Sequence, residues 1–469
     1  MFAQSDSQLH FDFLPDFSLI VQRQQAQISC DAGLLPIRQF DQRRTYTARM
    51  TACLSDARRE PLHGLDEMLR QRLYGILAEY EDCNDHDTLR DDPVFKIVAG
   101  RKPEDDPLAS QPTLSRFENA VTIPALYGLL DFLCETGVER LKEKNDGHLP
   151  AEITLDIDAT DDTTHGAQQL TFFHGYYGQY QYFPLVISEP TTRHIFHPWL
   201  RPGNVHAAHA ADEDVLQVAN HLRAARPDVA IHVRGDSGFG MPWMYEVCEG
   251  NNLSYTFGIA GNPRLKRLAQ PLVEQASAAY QRSGEKQRLF TYFSYRAESW
   301  DRSRTVIAKA EHQAAGSNLR FVVTSLPVDS DAQAEQRYDD YVQRGTSEQR
   351  MDELKNGLHA DRLSCHRFVA NFWRWLLHAA ALNLLNWLRD HDSIPRELRR
   401  AQPAAWRTRL IKVAAIVTQS TRRVAVWLAG QWPHWDHYAA VSQRALQAAV
   451  FGHAQPADMS RGARMPCGP

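Results

Sequence analysis

The stretch Glu152-Ile-Thr-Leu-Asp-Ile-Asp-Ala-Thr-Asp-Asp-Thr-Thr-His-Gly166 decides how the rest of the chain is read. Apolar Ile153, Leu155 and Ile157 alternate with Thr154, Asp156 and Asp158, the period of two expected of a strand with one buried face. The strand then runs into carboxylates, with Asp156, Asp158, Asp161 and Asp162 inside seven positions. So much negative charge at a strand end is costly unless water, a basic partner or a metal ion compensates it. Taken alone, the cluster is a solvated acidic turn as readily as a site. Its company shifts the reading. Asp228-Val-Ala-Ile-His-Val233 reads as a second strand and enters the glycine-rich turn Arg234-Gly-Asp236-Ser-Gly-Phe-Gly240. A helix expected from about 333 to 354 carries Glu348. Three carboxylates on two strand ends and one helix suit a cage for divalent metal.

On that helix, Tyr341, Arg344, Glu348 and Lys355 fall within about 60° of one another at about 100° per residue. A stripe of Tyr, Arg, Glu and Lys is a poor core face; it is either a solvated row of ion pairs or a polar working surface. Two acids remain as alternatives. Asp156 shares a strand face with Asp158 at i and i+2, and Glu298, in Tyr295-Arg-Ala-Glu298-Ser-Trp300, sits beside an arginine.

The 469 residues allow two to four domains, and 43% hydrophobic content excludes wholesale disorder. Residues 1–150 read as mostly helical, with periodic apolar runs over 64–80 and 123–141 and an arginine cluster at Arg38, Arg43, Arg44, Arg49, Arg58 and Arg59. DNA contact there and a plain packing role are equally supported. Residues 151–250 alternate strands with a helix over 212–225, an α/β pattern. Residues 251–328 read as a β-rich insertion, 329–390 as the Glu348 helix followed by an apolar, Trp-rich core helix, and 391–469 as a basic helical region. After His391, eleven Lys and Arg face four Asp and Glu, although the whole chain carries a net charge of -5. This suggests a polyanionic partner or a solvated helix face. Seven scattered cysteines without a CxxC pair argue against a disulfide framework or structural zinc. The expected compartment is reducing cytoplasm. No signal peptide or membrane span is read; the run Trp375–Leu388 is too short and is broken by His378, Asn383 and Asn386.

These residues carry a resemblance. Tyr341-x2-Arg344-x3-Glu348-x6-Lys355 resembles the Y-R-E-K signature of cut-and-paste DDE transposases of bacterial insertion sequences. Asp158, in Leu-Asp-Ile-Asp-Ala-Thr, resembles the first catalytic Asp of that family, and Asp236, in Val-Arg-Gly-Asp-Ser-Gly-Phe, the second. The segment Ala109-Ser-Gln-Pro-Thr-Leu-Ser-Arg-Phe-Glu-Asn119 resembles an N-terminal segment of one branch.

The resemblance implies a ribonuclease H-like mixed sheet flanked by helices, with a β-rich insertion before the last acid and helical regions at both ends. It implies Asp158, Asp236 and Glu348 as catalytic metal ligands for Mg²⁺, with Mn²⁺ as a possible substitute, and Tyr341, Arg344 and Lys355 as DNA-binding residues. The implied partners are transposon terminal inverted repeats, target DNA and a second copy of the chain in a homodimeric synaptic complex. The implied place is the bacterial cytoplasm, on the nucleoid when DNA is bound. Two other classes stay open: a catalytically inactive DNA-binding repressor, and a carboxylate-pair hydrolase of glycosidase type, which needs neither metal nor a cationic helix.

Overall fold

The computed structural model describes residues 9–11, 13, 19–23 and 26–450. Its centre is an eight-stranded sheet. In chain order the strands are β1 (Glu152–Ala159), β2 (Leu185–Glu189), β3 (His194–Trp199), β4 (Ala230–Gly235), β5 (Ser254–Ile259), β6 (Gln287–Tyr295), β7 (Arg304–Gln313) and β8 (Gly316–Thr324). Their order across the sheet is β6-β7-β8-β5-β4-β1-β2-β3. Strands β1, β4 and β5 run parallel, whereas β2 and β3 fold back antiparallel on the other side of β1. This is the ribonuclease H-like arrangement, with the acidic strand inside the sheet between β4 and β2.

The alternation in β1 does what its pattern predicts. Ile153, Leu155 and Ile157 are buried with Val215, Val218 and Leu222 of the helix Ala211–Ala225. The opposite face of β1 is also covered, and Asp156 is buried there. The β-rich block is not a separate body: β5 belongs to the central parallel strands, and only the long helix Pro263–Ser283 and β6 to β8 are added, continuing the sheet through the β5–β8 pairing.

A second core joins both ends of the chain. The helices Leu65–Leu77 and Ile123–Lys144 and the segment after 391 pack around the helix Phe368–Arg389. The expected regions 1–150 and 391–469 therefore share one interior. The C-terminal region is not simply helical. Ala415–Ser420 and Arg423–Leu428 form a β-hairpin that takes Gln27–Ser29 as a third strand, because β-branched Ile416, Val417, Thr418, Val424 and Val426 favour a pleated surface over a helix. Between the helices Leu65–Leu77 and Ile123–Lys144 lies a further helix, Pro93–Ala99, capped by Asp92.

The polar residues interrupting the apolar core helix have a structural purpose. The Asn383 side chain accepts from Ile195 N at 2.9 Å and donates to Ile195 O at 2.9 Å, pairing the outer edge of β3 as a neighbouring strand would. Asn383→Leu leaves two buried backbone groups unpaired and is expected to cost about 2 to 5 kcal/mol. Urea titration checks this, with a lowered midpoint at unchanged slope as the predicted outcome.

Among the described residues no single helix is long and apolar enough to cross a membrane.

Candidate active site

Two neighbouring parallel strands end in the acids. The register pairs Asp156 with Arg234 and Ile157 with Gly235, so Asp158 and Asp236 leave β1 and β4 at matching positions, roughly 5 Å apart across the ladder. Asp236 turns its Oδ1 to accept from Gly238 N at 2.8 Å, fixing the carboxylate as the chain leaves the strand. Close approach here depends on Gly258: a Cβ at that position would stand 2.8 Å from Ser237 N and 2.9 Å from Tyr341 Oη. The neighbouring cavity, of about 380 Å³, is lined by Asp236, Ser237, Gly258, Phe321, Tyr338 and Tyr341.

Asp158 is 14% exposed. Its Oδ2 accepts from Ser347 Oγ at 3.0 Å and lies 3.9 Å from Arg344 Nη1, and its Oδ1 accepts from Ala159 N at 3.0 Å. Burial pushes its carboxyl up to about 6; Arg344 and Ser347 pull it down, and the charge of Asp236 adds to the rise. Asp156, one pleat below, is fully engaged: Arg234 donates Nε to its Oδ1 at 2.7 Å and Nη2 to its Oδ2 at 2.9 Å. The same guanidinium donates to Asp340 O, which ties the helix Asp331–Val342 to the sheet.

The expected long helix is broken. Asp331–Val342 is followed by a 3-10 turn at Gln343–Gly345, the α-helix Thr346–Asp352 and a π turn at Glu353–Gly357. Gly345, a weak helix former, sits at the first irregularity. The first three residues of the stripe stay aligned. Arg344 stands 5.9 Å from the Tyr341 ring, and its Nη2 lies 3.6 Å from Glu348 Oε1. Glu348 is 72% exposed at the rim, joined to Asp158 through Arg344. Lys355, on the π turn, donates to Asp161 O at 2.7 Å, Asp161 Oδ1 at 3.2 Å and Thr160 Oγ1 at 3.3 Å, just past the acidic strand.

Glu298 is not brought to these residues. The ladder sets Phe293 level with Gly235; Glu298 follows β6 beyond the opposite end of the sheet, four strands away from β4, and is exposed. Sequence reasoning missed Arg234 and Ser347. Arg234 had a signal: Asp156-x-Asp158 and Arg234-x-Asp236 repeat a charge two residues before each strand-end acid, which in a parallel register makes an ion pair. Ser347 had none beyond adjacency to Glu348.

Part of the arginine cluster and of the basic tail is spent on ion pairs within the chain, whereas Arg396, Arg400, Arg409, Arg422 and Arg423 are exposed. Arg44 is buried against Glu143, Arg49 pairs with Glu135 and Glu139, and Arg58 with Asp56. Arg399, Arg407, Lys412 and Arg444 pair with Asp392, Glu79, Asp31 and Glu143, while Arg461 and Arg464 lie outside the described residues.

A family described as transposase DDE domain group 1 matches residues 15–450. The chain belongs to that family. It is a DNA transposase, a metal-dependent enzyme of the DDE type. No curated protein matches it. It is similar to a piggyBac transposase solved by cryo-EM in a synaptic complex with hairpin DNA, at 13% identity and a TM-score of 0.39 over 77% of each chain.

The transposase's donor set fits a divalent cation. Asp158 and Asp236 present hard oxygens side by side, and Arg344 supplies the positive charge nearest to Asp158. Among the described residues no three His, Cys, Asp or Glu side chains already stand as a chelating group; Glu348 would have to turn inward from the rim to join the pair.

Proposed function

We propose that this transposase cuts and joins phosphodiester bonds at the ends of an insertion sequence, with Asp158, Asp236 and Glu348 holding Mg²⁺, for which Mn²⁺ can substitute. The observation that carries the reading is the matched exit of Asp158 and Asp236 from neighbouring parallel strands, with the Glu348 helix pinned to Asp158 through Ser347. A bound pair of such ions would activate a water or hydroxyl nucleophile and stabilise the leaving oxygen.

The chain's own residues do the rest. Ser347 and Ala159 N hold the Asp158 carboxylate in place. Arg344 offsets the acids' charge and is placed to meet a phosphate beside them. Lys355 positions the Thr160–Asp161 exit of β1 and presents a second positive charge, and Tyr341 packs at Asp236. Terminal inverted repeats and target DNA are the substrates, brought together by a homodimer in the bacterial cytoplasm. Residues 1–150 serve end recognition, and the C-terminal region supports them through the shared core.

Incubating the protein with a plasmid carrying the inverted repeats that flank its gene tests this. Mg²⁺-dependent nicking at the repeat ends, lost in chelator, is expected. A repressor would bind and not nick, and a glycosidase-like hydrolase would need no metal. The cations are expected to be separable from the acids: Arg344→Lys and Lys355→Ala should slow cleavage about 10-fold or more without changing the Mg²⁺ concentration for half-maximal rate. A large shift in that concentration for Lys355→Ala would place Lys355 at the metals instead.

A further inference from the structure

Between Asp162 and Tyr182 the chain leaves the acidic strand and forms a small antiparallel sheet in which 162–163, 172–174 and 179–182 pair. Its outer hairpin, Phe172-Phe-His-Gly-Tyr-Tyr-Gly-Gln-Tyr180, carries no Asp, Glu, Lys or Arg. In fact no Asp, Glu, Lys or Arg occurs from Gly166 to Phe183, although 23% of the chain is charged. Its large side chains are aromatic and exposed: Phe172, Phe173, Tyr176, Tyr177 and Tyr180, with Tyr176 at 87% and Tyr180 at 60%. Phe173 and Tyr180 form a cross-strand pair with ring centroids 5.6 Å apart, and the consecutive Tyr176 and Tyr177 a second pair at 5.1 Å within the turn.

The hairpin is fixed beside the acids. Gln179 Nε2 donates to Asp161 Oδ2 at 3.1 Å, and the other oxygen of that carboxylate receives Lys355 Nζ. The Tyr177 phenol, partly covered at the turn, is pushed up first by that partial burial and then by the charges of Asp161, Tyr176, Asp236 and Asp158, so the turn stands within electrostatic reach of both strand-end acids. At its base, Gln169 N donates to His366 O at 2.9 Å, which anchors it to the segment leading into the core helix.

We propose that this aromatic hairpin stacks unpaired nucleobases of the DNA strand held at the acids. The inference rests on the proposed active site, since the hairpin's meaning comes from standing next to it. A surface for phosphates would carry Lys or Arg; this one offers neutral π-faces next to the strand that bears the acids, which suit bases and take any sequence. The lack of carboxylates on the hairpin lets a polyanion approach it. Strand breakage at a duplex end exposes bases that have lost their stack, and a platform beside the scissile phosphate would hold them.

Fluorescence anisotropy on the full chain tests the proposal without requiring cleavage. The probes are one duplex with a short unpaired oligothymidine fork and the same duplex with a blunt end, in a buffer containing Ca²⁺. Wild type should prefer the fork. Stacking contributes about 1 to 3 kcal/mol per base, so Tyr176→Ala with Tyr180→Ala should weaken fork binding about 10- to 100-fold and leave blunt binding unchanged. Tyr176→Phe with Tyr180→Phe should keep the preference. Unchanged fork binding in the Ala protein, equal loss on both probes, or dissociation of an oligomer on sedimentation with no change in fork preference would each overturn it. Because the readout is binding, failure of the metal-ligand assignment, seen as cleavage by Asp158→Asn, is distinguishable from failure here.

Discussion

Asp156→Ala and Asp158→Asn, two positions apart on one strand face, are expected to change stability in opposite directions. Removing Asp156 strands Arg234, a buried guanidinium that also holds Asp340 O. Breaking a buried pair from one side costs about 3 to 5 kcal/mol. The double change Asp156→Ala with Arg234→Met should recover much of that loss, because it leaves no orphaned charge. Asp158 works the other way. Its folded pKa of about 6 lies above the ordinary 3.8. Between those values the native protein keeps a proton that the unfolded chain has lost, so stability is full below about pH 4 and falls as pH rises through 6. Asp158→Asn removes that penalty. In chelator it should raise the denaturation midpoint at pH 7.5, by an amount corresponding to roughly 3 kcal/mol, and make far less difference at pH 4. Thermal scans at the two pH values check both substitutions. A destabilised Asp158→Asn protein at pH 7.5 would mean that Arg344 and Ser347 outweigh burial at that carboxylate.

The second large effect is on chemistry. Asp236→Asn and Glu348→Gln keep shape and remove a formal negative charge each, and each is expected to lower end cleavage by about 1000-fold or more, since a lost metal ligand forfeits several kcal/mol of transition-state charge stabilisation. DNA binding should fall far less, because phosphate contacts use other side chains. Glu348→Gln is the sharper test of the two, given the exposed position of Glu348 and its link to Asp158 only through Arg344. Gel-resolved cleavage of a labelled end, with binding measured on the same preparation, separates the two effects.

Much of the catalytic sheet was legible because β1, β4 and β5 to β8 carry local strand patterns, and the two strand-end acids stood out against them. What local pattern could not supply was long-range pairing. Arg44 looks like a DNA contact until Glu143, 99 positions away, is folded against it; Arg407 meets Glu79 from the far end of the chain in the same way. The hairpin at 415–428 reads as helix from sequence because its apolar residues also satisfy a helical spacing, and the β-branched run together with pairing to Gln27–Ser29 decides for strands. The breaks around Glu348 were hidden for a different reason. The 3-10 turn is a single turn, short enough that Tyr341, Arg344 and Glu348 still share one side, and the π turn falls after Glu348.

Mn²⁺ binding followed by electron paramagnetic resonance, with end DNA present, tests the three-acid assignment most directly. Wild type should bind Mn²⁺, Asp158→Asn and Asp236→Asn should lose that binding, and Glu348→Gln should weaken it at least about 10-fold, whereas Glu298→Gln should match wild type. Wild-type affinity in Glu348→Gln together with lost affinity in Glu298→Gln would contradict the account.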